Sequence, residues 1–270
     1  MEIPLGIIED GQLQFDSTRD LNRAWDLGVF YIKRQFTMNI NRARRFCNDL
    51  VLSENPYRQI PKLGELEGFI SLENNQQTKV ALQRKHWDEY YPADIAEFGR
   101  ELDQIGIVIV NEVLKQSGIP EEFWDKASGG YSGGDGTSFL NFVYYDTTKP
   151  DLGLRPHTDY GFVTILDATA PGLQVEVDGV FEDVPVKEDH LLINFGEALN
   201  YVTANSDREV GAIRHQVTCQ KSENLIRKSV VYFGNPALDS MLYQLNSNGD
   251  SANQSTVADL FAQLEQRLTQ

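Results

Sequence analysis

Hydrophobic positions in this chain recur at helical spacing in its first half and at strand spacing in its second. Ser17 or Asp16 caps a short helix running through Leu27, and the apolar run Gly28-Val29-Phe30-Tyr31-Ile32 behind it reads as a strand. A second helix is expected over about Asn39 to Leu52. The strongest runs from about Ala93 to Ser117. There Ile95, Phe98, Leu102, Ile105 and Ile109 recur at three- and four-residue steps, and Gly118 with Pro120 supplies the stop. From Ser138 the period shortens. Six β-rich runs follow: Phe139 to Tyr145, Phe162 to Ala168, Leu173 to Val177, Leu191 to Phe195, Arg214 to Thr218 and Arg227 to Phe233. Gly, Pro, Asp and Asn separate them, a spacing that argues for a sandwich or barrel. A last helix, about Thr256 to Leu268, closes the chain. The expected fold class is α+β with a mainly β core, helices packed on a double sheet.

Composition and charge narrow the partners. A net charge of −16 repels nucleic-acid backbones and anionic membranes, so neither is expected. No apolar run approaches the roughly 18 residues of a membrane span, and Met1-Glu2-Ile3-Pro4-Leu5-Gly6 lacks the marks of a signal peptide. A cytoplasmic location is the expectation. Cys47 and Cys219 are the only cysteines, too few for a disulfide framework or zinc cluster. With no repeat or linker in view, residues 1–270 read as one domain.

The chemistry concentrates in Arg155-Pro156-His157-Thr158-Asp159-Tyr160-Gly161. His157 and Asp159 stand two apart, so on a strand both side chains leave one face. His215 lies in a later strand that the sheet can fold onto the same ion. Two histidines and one carboxylate fill one face of an octahedron and leave three positions for cosubstrate and O2, the facial triad of non-haem iron(II) oxygenases. A third element strengthens a motif that is weak alone. Arg227-Lys228-Ser229 opens the next strand, its outer residues sharing a face, and a guanidinium fork with a hydroxyl suits the far carboxylate of 2-oxoglutarate.

With these residues in place the chain resembles the isopenicillin N synthase-like branch of the 2-oxoglutarate-dependent dioxygenases. Ala24-Trp25-Asp26-Leu27-Gly28-Val29-Phe30 resembles the family's N-terminal helix-to-strand element, and Leu154 to Asp159 its first metal motif. Pro171-Gly172-Leu173-Gln174-Val175, Leu192 to Leu199 with Thr203-Ala204-Asn205, and Pro236 with Asp239 resemble later segments. The resemblance implies a double-stranded β-helix, or jelly roll, over residues 131–240, with a helical region at 1–130 and a C-terminal helix at 241–270. It implies His157, Asp159 and His215 as ligands of Fe(II), and Arg227, Ser229 and Tyr144 as the 2-oxoglutarate seat. O2 is the oxidant, ascorbate a stimulant, succinate and CO2 the by-products. The substrate implied is a small metabolite of specialised metabolism that is hydroxylated, desaturated or cyclised. The chain departs from the family in carrying Gln216 after the distal histidine, and in extra residues near Gln220 to Asn224 that suggest a longer hairpin.

Three other readings share these residues. They are an iron oxidase of the same fold that uses no 2-oxoglutarate, a zinc hydrolase, and a non-catalytic binder of small ligands. Beyond the motif, His190 reads as a turn residue and His86 as a surface one. Arg155 shares a strand face with His157 in this reading and reaches toward an anionic substrate or a salt bridge. Tyr160, Phe162, Tyr90 and Tyr91 line a pocket or pack the core, and Asn194 and Asn200 stand where they can orient groups near the metal.

Overall fold

The computed structural model describes residues 1–35, 38–64, 67–71, 76–149, 153–220 and 226–268. The chain opens with a hairpin, β1 (Leu5–Glu9) and β2 (Gln12–Phe15), whose Asp10-Gly11 turn has both residues at positive φ, 50° and 74°. Helix α1 (Thr18–Leu27) follows. The Ser17 hydroxyl accepts from the Asp20 N–H at 3.1 Å, and Gly28 ends the helix with φ 68°. A Cβ at Gly28 would run into the Gly211 carbonyl, so only glycine lets the chain drop from α1 into β3 (Val29–Lys33) here.

Helix α2 (Ile40–Asp49), strands β4 (Gly68–Ser71) and β5 (Gln77–Gln83), a turn of helix α3 (Trp87–Tyr90), the 24-residue α4 (Ala93–Gln116) and a second short turn α5 (Trp124–Ala127) complete the first half. The region expected to be helical thus also contributes strands β1 to β5, and these widen the main sheet.

The second half carries β6 (Phe139–Tyr145), β7 (Leu154–His157), β8 (Val163–Ala168), β9 (Leu173–Val177), β10 (Val180–Asp183) and β11 (His190–Phe195). Helix α6 (Glu197–Thr203), β12 (His215–Val217) and β13 (Lys228–Gly234) follow. A hairpin of β14 (Met241–Leu245) and β15 (Ser251–Thr256) then precedes α7 (Val257–Leu268). Two sheets result. The larger runs β2-β1-β3-β11-β8-β13-β6-β5-β4, the smaller β10-β9-β12-β7. Strands β6 to β13 pass between them in the order of a double-stranded β-helix, so the expected jelly roll is the fold, with sheets that do not close into a barrel. The extra residues expected near Gln220 to Asn224 fall largely outside the described residues.

The alternation of side chains sorts two cores. Phe30, Ile32, Phe142, Val163, Ile165, Ile193, Phe195, Val230 and Tyr232 leave the large sheet outward and meet α1, α2 and α4. Trp25 of α1 sets its edge against Phe195 at 5.5 Å, and such pairs contribute about 0.5–1.5 kcal/mol beyond burial. Arg44 of α2 grips Asp167 of β8 through two bonds of 2.7 and 2.6 Å. Val29, Tyr31, Val143, Tyr145, Leu166, Leu192, Leu173, Val175 and Val217 point inward, between the sheets. Buried on both faces, β8 and β11 are covered along nearly their whole length rather than at alternate positions. Among the described residues, no helix is long and apolar enough to cross a membrane.

Candidate active site

His157 and His215 face one another across the antiparallel pair β7·β12, their ring centroids 4.4 Å apart. The register slips between His215 and Val217, because Leu154 rather than Arg155 pairs with Val217. That irregularity lets Leu154 and His157, three apart, both serve the interior. Arg155 is left exposed, so the expectation that it shares an inner face with His157 fails. Its backbone carbonyl has a role instead, taking the His157 Nδ1 proton at 2.8 Å. Ile213 does the same for His215 at 3.1 Å. A carbonyl only accepts, so both Nδ1 atoms carry hydrogen and both Nε2 lone pairs are free.

Asp159 reaches this pair by a different route from the one expected. Strand β7 ends at His157, and the carboxylate stands in the turn beyond it. Three contacts pin the turn. The Thr164 hydroxyl of β8 donates to Asp159 Oδ2 at 2.5 Å, and the Glu197 N–H of α6 donates to the Asp159 carbonyl at 2.8 Å. Gly196 lies so close that a Cβ there would strike the carbonyls of Gly161 and Asp159. The result sets Oδ1 3.6 Å from His157 Nε2 and Oδ2 3.7 Å from His215 Nε2. One donor atom from each of the three residues lies within 4.8 Å of the others. It is the one group of this kind among the described residues.

The electrostatics favour an ionised Asp159 and a neutral His215, while His157 holds its proton more tightly and must release it to bind a metal. Burial works against an ionised Asp159, but the charges of His215 and His157 and the Thr164 hydroxyl outweigh it and bring its pKa down to about 2. Burial pushes the His215 pKa below its ordinary value. Burial also pulls His157 down, yet the Asp159 carboxylate beside it, with the Arg155 carbonyl, prevails and raises it. One carboxylate and two imidazoles with free Nε2 atoms fit Fe(II) in ligand type and number. Thr164→Val, which keeps the shape and removes the donor to Asp159, is expected to weaken Fe(II) binding about 10–100-fold with the fold intact. Ferrous titration of the two proteins checks this.

The same chamber holds a second cluster. Arg227 and Ser229 of the β13 edge are buried. The guanidinium lies 5.3 Å over the Tyr145 ring, and one of its nitrogens donates to the Ala170 carbonyl. Arg227 Nε and Ser229 Oγ are buried with no hydrogen-bond partner. Two orphaned donors beside a buried positive charge leave a seat fitted to a carboxylate. Tyr144 is not part of it. It pairs with Lys228, whose ammonium reaches Asn48 at the end of α2, so Tyr144 belongs to the helix-covered face. Tyr145, one residue on, shares the inner face with Arg227.

The remaining expectations divide. Phe162 packs against Tyr131, Tyr160 against Phe261 of α7, and Tyr91 donates to the Leu140 carbonyl at 2.7 Å, so these aromatics serve the core. Tyr90 also packs on that helix-side core. Asn200 braces the loop at Val210. Asn194 stays in view, with its buried Oδ1 unpartnered. His190 opens β11 rather than sitting in a turn, beside Tyr31. His86 lies near Glu67 and Glu89. Cys47 is buried and Cys219 half-buried, and neither is in a disulfide among the described residues. Thr164 and Tyr145 were not singled out from the sequence. Thr164 is a polar residue inside the buried run of β8, and Tyr145 has the strand parity of Arg227.

A double-stranded β-helix with two imidazoles and a carboxylate converging between its sheets defines the class of facial-triad proteins. The family model of the 2OG-Fe(II) oxygenase superfamily matches residues 135–236 of this chain. The 1-aminocyclopropane-1-carboxylate oxidase 3 of Cucumis melo is 32% identical over 161 residues, 58% of this chain and 48% of that protein. A probable 1-aminocyclopropane-1-carboxylate oxidase of Dianthus caryophyllus is 30% identical over 162 residues, again 58% of this chain and 48% of its own length. The chain thus spans about half the length of the curated relatives it matches. In fold it is similar to JOX2 in complex with 2OG, Fe and JA, with TM-score 0.74 and 19% identity over 97% of this chain and 84% of the other. The dioxygenase for auxin oxidation in rice gives TM-score 0.73 at 16% identity, covering 100% of this chain and 96% of the other.

Proposed function

We propose that this chain is an Fe(II)- and 2-oxoglutarate-dependent oxygenase acting on a small molecule, with residues 1–270 as one catalytic unit. His157, Asp159 and His215 hold the iron, and Arg227 with Ser229 and Tyr145 seats the distal carboxylate of 2-oxoglutarate. Tyr145 replaces Tyr144 in that role. Together the bound iron and cosubstrate supply the oxidising chemistry, in which O2 and 2-oxoglutarate yield succinate, CO2 and one oxygen atom for the substrate.

The protein's own part is placement. The carbonyls of Arg155 and Ile213 hold the two Nδ1 protons and aim both Nε2 atoms inward. Thr164 fixes the rotation of the Asp159 carboxylate. The apolar inner faces of β6, β8 and β9 keep water from the chamber, which strengthens every charge interaction within it.

The observation that carries this reading is the pair of orphaned donors, Arg227 Nε and Ser229 Oγ, in the chamber that also holds the triad. A second reading is an oxidase of the same fold in which that seat takes the substrate's own carboxylate; the Cucumis melo relative, named as an oxidase of an amino carboxylic acid, favours it. Incubating the protein with Fe(II), ascorbate, 2-oxoglutarate and O2 separates the two. Slow succinate formation without substrate, and faster formation with one, is the expected result. Oxygen uptake without succinate selects the oxidase, and restoration of activity by zinc alone rejects both. A net charge of −16 and the apolar chamber support a small-molecule rather than a nucleic-acid partner, and a cytoplasmic site of action belongs to the same proposal.

A further inference from the structure

Strand β5 has the sequence Gln-Thr-Lys-Val-Ala-Leu-Gln, a lysine inside an otherwise apolar and amide-bearing run. Its register decides where that lysine stands. Gln77 pairs with Tyr145, Lys79 with Val143 and Ala81 with Asn141. Across β6, Val143 pairs with Ser229 of β13. Directly paired residues leave a sheet on one side. Lys79, Val143 and Ser229 therefore form one row on the inner face, beside the row of Gln77, Tyr145 and Arg227.

Gln77 verifies the direction, since its side-chain amide crosses to the small sheet and donates to the Gly153 carbonyl at 2.7 Å. Lys79, two residues on, faces the same chamber. Its charge bears on His157, lowering that imidazole's proton affinity.

No described residue answers this ammonium. Lys79 is half-buried and makes no hydrogen bond or ion pair among the described residues, whereas buried charges in proteins are paired as a rule. Burial alone pulls its pKa below the ordinary lysine value, so the site carries an uncompensated cost. Such a cost persists where a ligand supplies the missing partner. Arg227 and Ser229 already provide a seat for one carboxylate, and Lys79 stands two strands away from Ser229, about 10 Å at the spacing of neighbouring strands. A second anion fits there. On the same wall, the Asn141 carboxamide oxygen is buried without a partner, an acceptor waiting for a donor.

We propose that Lys79 is a substrate-recognition residue and that the substrate carries a carboxylate, held by Lys79 while the rest of the molecule extends toward the triad. This rests on the oxygenase reading above. Lys79 selects rather than reacts. It fixes the anionic end, so the oxidised carbon is the one held between Lys79 and the His157–Asp159–His215 face.

The test uses the full chain with Fe(II) and 2-oxoglutarate under nitrogen. The probes are a panel of aliphatic and aromatic carboxylates, each with its primary amide. Thermal shift reads binding, and succinate formed above the probe-free rate after oxygen is admitted reads productive placement. Carboxylates are expected to raise the melting temperature and stimulate succinate, and their amides to do neither. Lys79→Met is expected to weaken the best carboxylate at least about 30-fold, and Lys79→Arg to retain most of the affinity.

The visible absorption of the Fe(II)–2-oxoglutarate complex is recorded in every protein. Its absence from the wild type defeats the oxygenase reading itself. Its loss in Lys79→Met alone makes Lys79 part of the cosubstrate seat and overturns this inference. Amides that bind as well as carboxylates, or a panel in which no carboxylate binds, overturn it too. Should Lys79→Met fail to fold, the carboxylate–amide contrast in the wild type decides.

Discussion

Asp159→Ala is expected to lower Fe(II) affinity more than about 100-fold and to end turnover. The floor follows from the lesser case, because loss of a neighbour that only orients a ligand already costs about 10–100-fold. Asp159 is the one anionic donor of the three, and it touches both imidazoles, at 3.6 and 3.7 Å. Its removal leaves two neutral ligands and a buried Thr164 hydroxyl that has lost its acceptor. The pH dependence of the wild type has a definite sign. With its pKa near 2, Asp159 is ionised across the working range, so protons compete with iron through the histidines. His157, raised by Asp159, takes a proton first as pH falls, and His215, depressed by burial, follows at lower pH. Fe(II) affinity should therefore decline on acidification from above the ordinary histidine pKa of about 6.5. Ferrous titration between about pH 5 and 8, the range in which histidines titrate, with metal analysis after gel filtration, measures both effects. An Asp159→Ala protein that keeps one iron per chain removes the triad assignment.

How much of this was legible in the sequence depends on whether the signal was local. The helices over Thr18–Leu27 and Ala93–Gln116 and the strand over Phe139–Tyr145 stand where their period, caps and stops place them, because one buried face dictates each pattern. The first hairpin carried a readable mark, Asp10-Gly11 between two strands, but is short enough to pass unnoticed. The hairpin before α7 carried its mark in the turn alone, Asn248-Gly249. Its second strand, Ser-Ala-Asn-Gln-Ser-Thr, is largely exposed and has no apolar alternation to read. The site divides in the same way. His157, Asp159 and His215, singled out by residue type and spacing, are brought together by the structure, although the strand-parity reason was wrong for Asp159. A bulge in β7·β12 and a turn clamped by Thr164 and Gly196 do what a regular strand was expected to do. Bulges and clamps arise from tertiary contacts, and no window of sequence encodes them. Tyr144 and Tyr145 show the limit most clearly. Adjacent tyrosines have opposite faces, and only the pairing of Tyr145 with the Arg227 end of β13 says which looks inward.

The cosubstrate seat makes the most demanding prediction, because loss of its cation should affect ligand binding and stability in opposite directions. In the free protein Arg227 is buried over Tyr145, with Nε unpartnered and no carboxylate beside it among the described residues. A buried charge without a partner costs several kcal/mol, and replacing one with an apolar side chain of similar volume is often stabilising. Arg227→Met is therefore expected to leave the melting temperature of the ligand-free protein unchanged or higher. Binding of 2-oxoglutarate should fall by about 2–5 kcal/mol, roughly 30- to 4,000-fold, because the partner of its distal carboxylate is gone. The proposed iron ligands lie on β7, in the turn beyond it and on β12, and stay in place, so Fe(II) affinity should remain within about two-fold, as for sites that share no partner. Thermal shift at increasing 2-oxoglutarate reads all of this at once. At a concentration of about 100 times Kd, the wild type gains about 2.7 kcal/mol from bound cosubstrate. At that same concentration a variant weakened about 30-fold or more should gain no more than about 0.9 kcal/mol. An Arg227→Met protein that melts well below the wild type without ligand, yet keeps the full 2-oxoglutarate shift, would make Arg227 a structural brace through Ala170 and move the carboxylate seat elsewhere in the chamber.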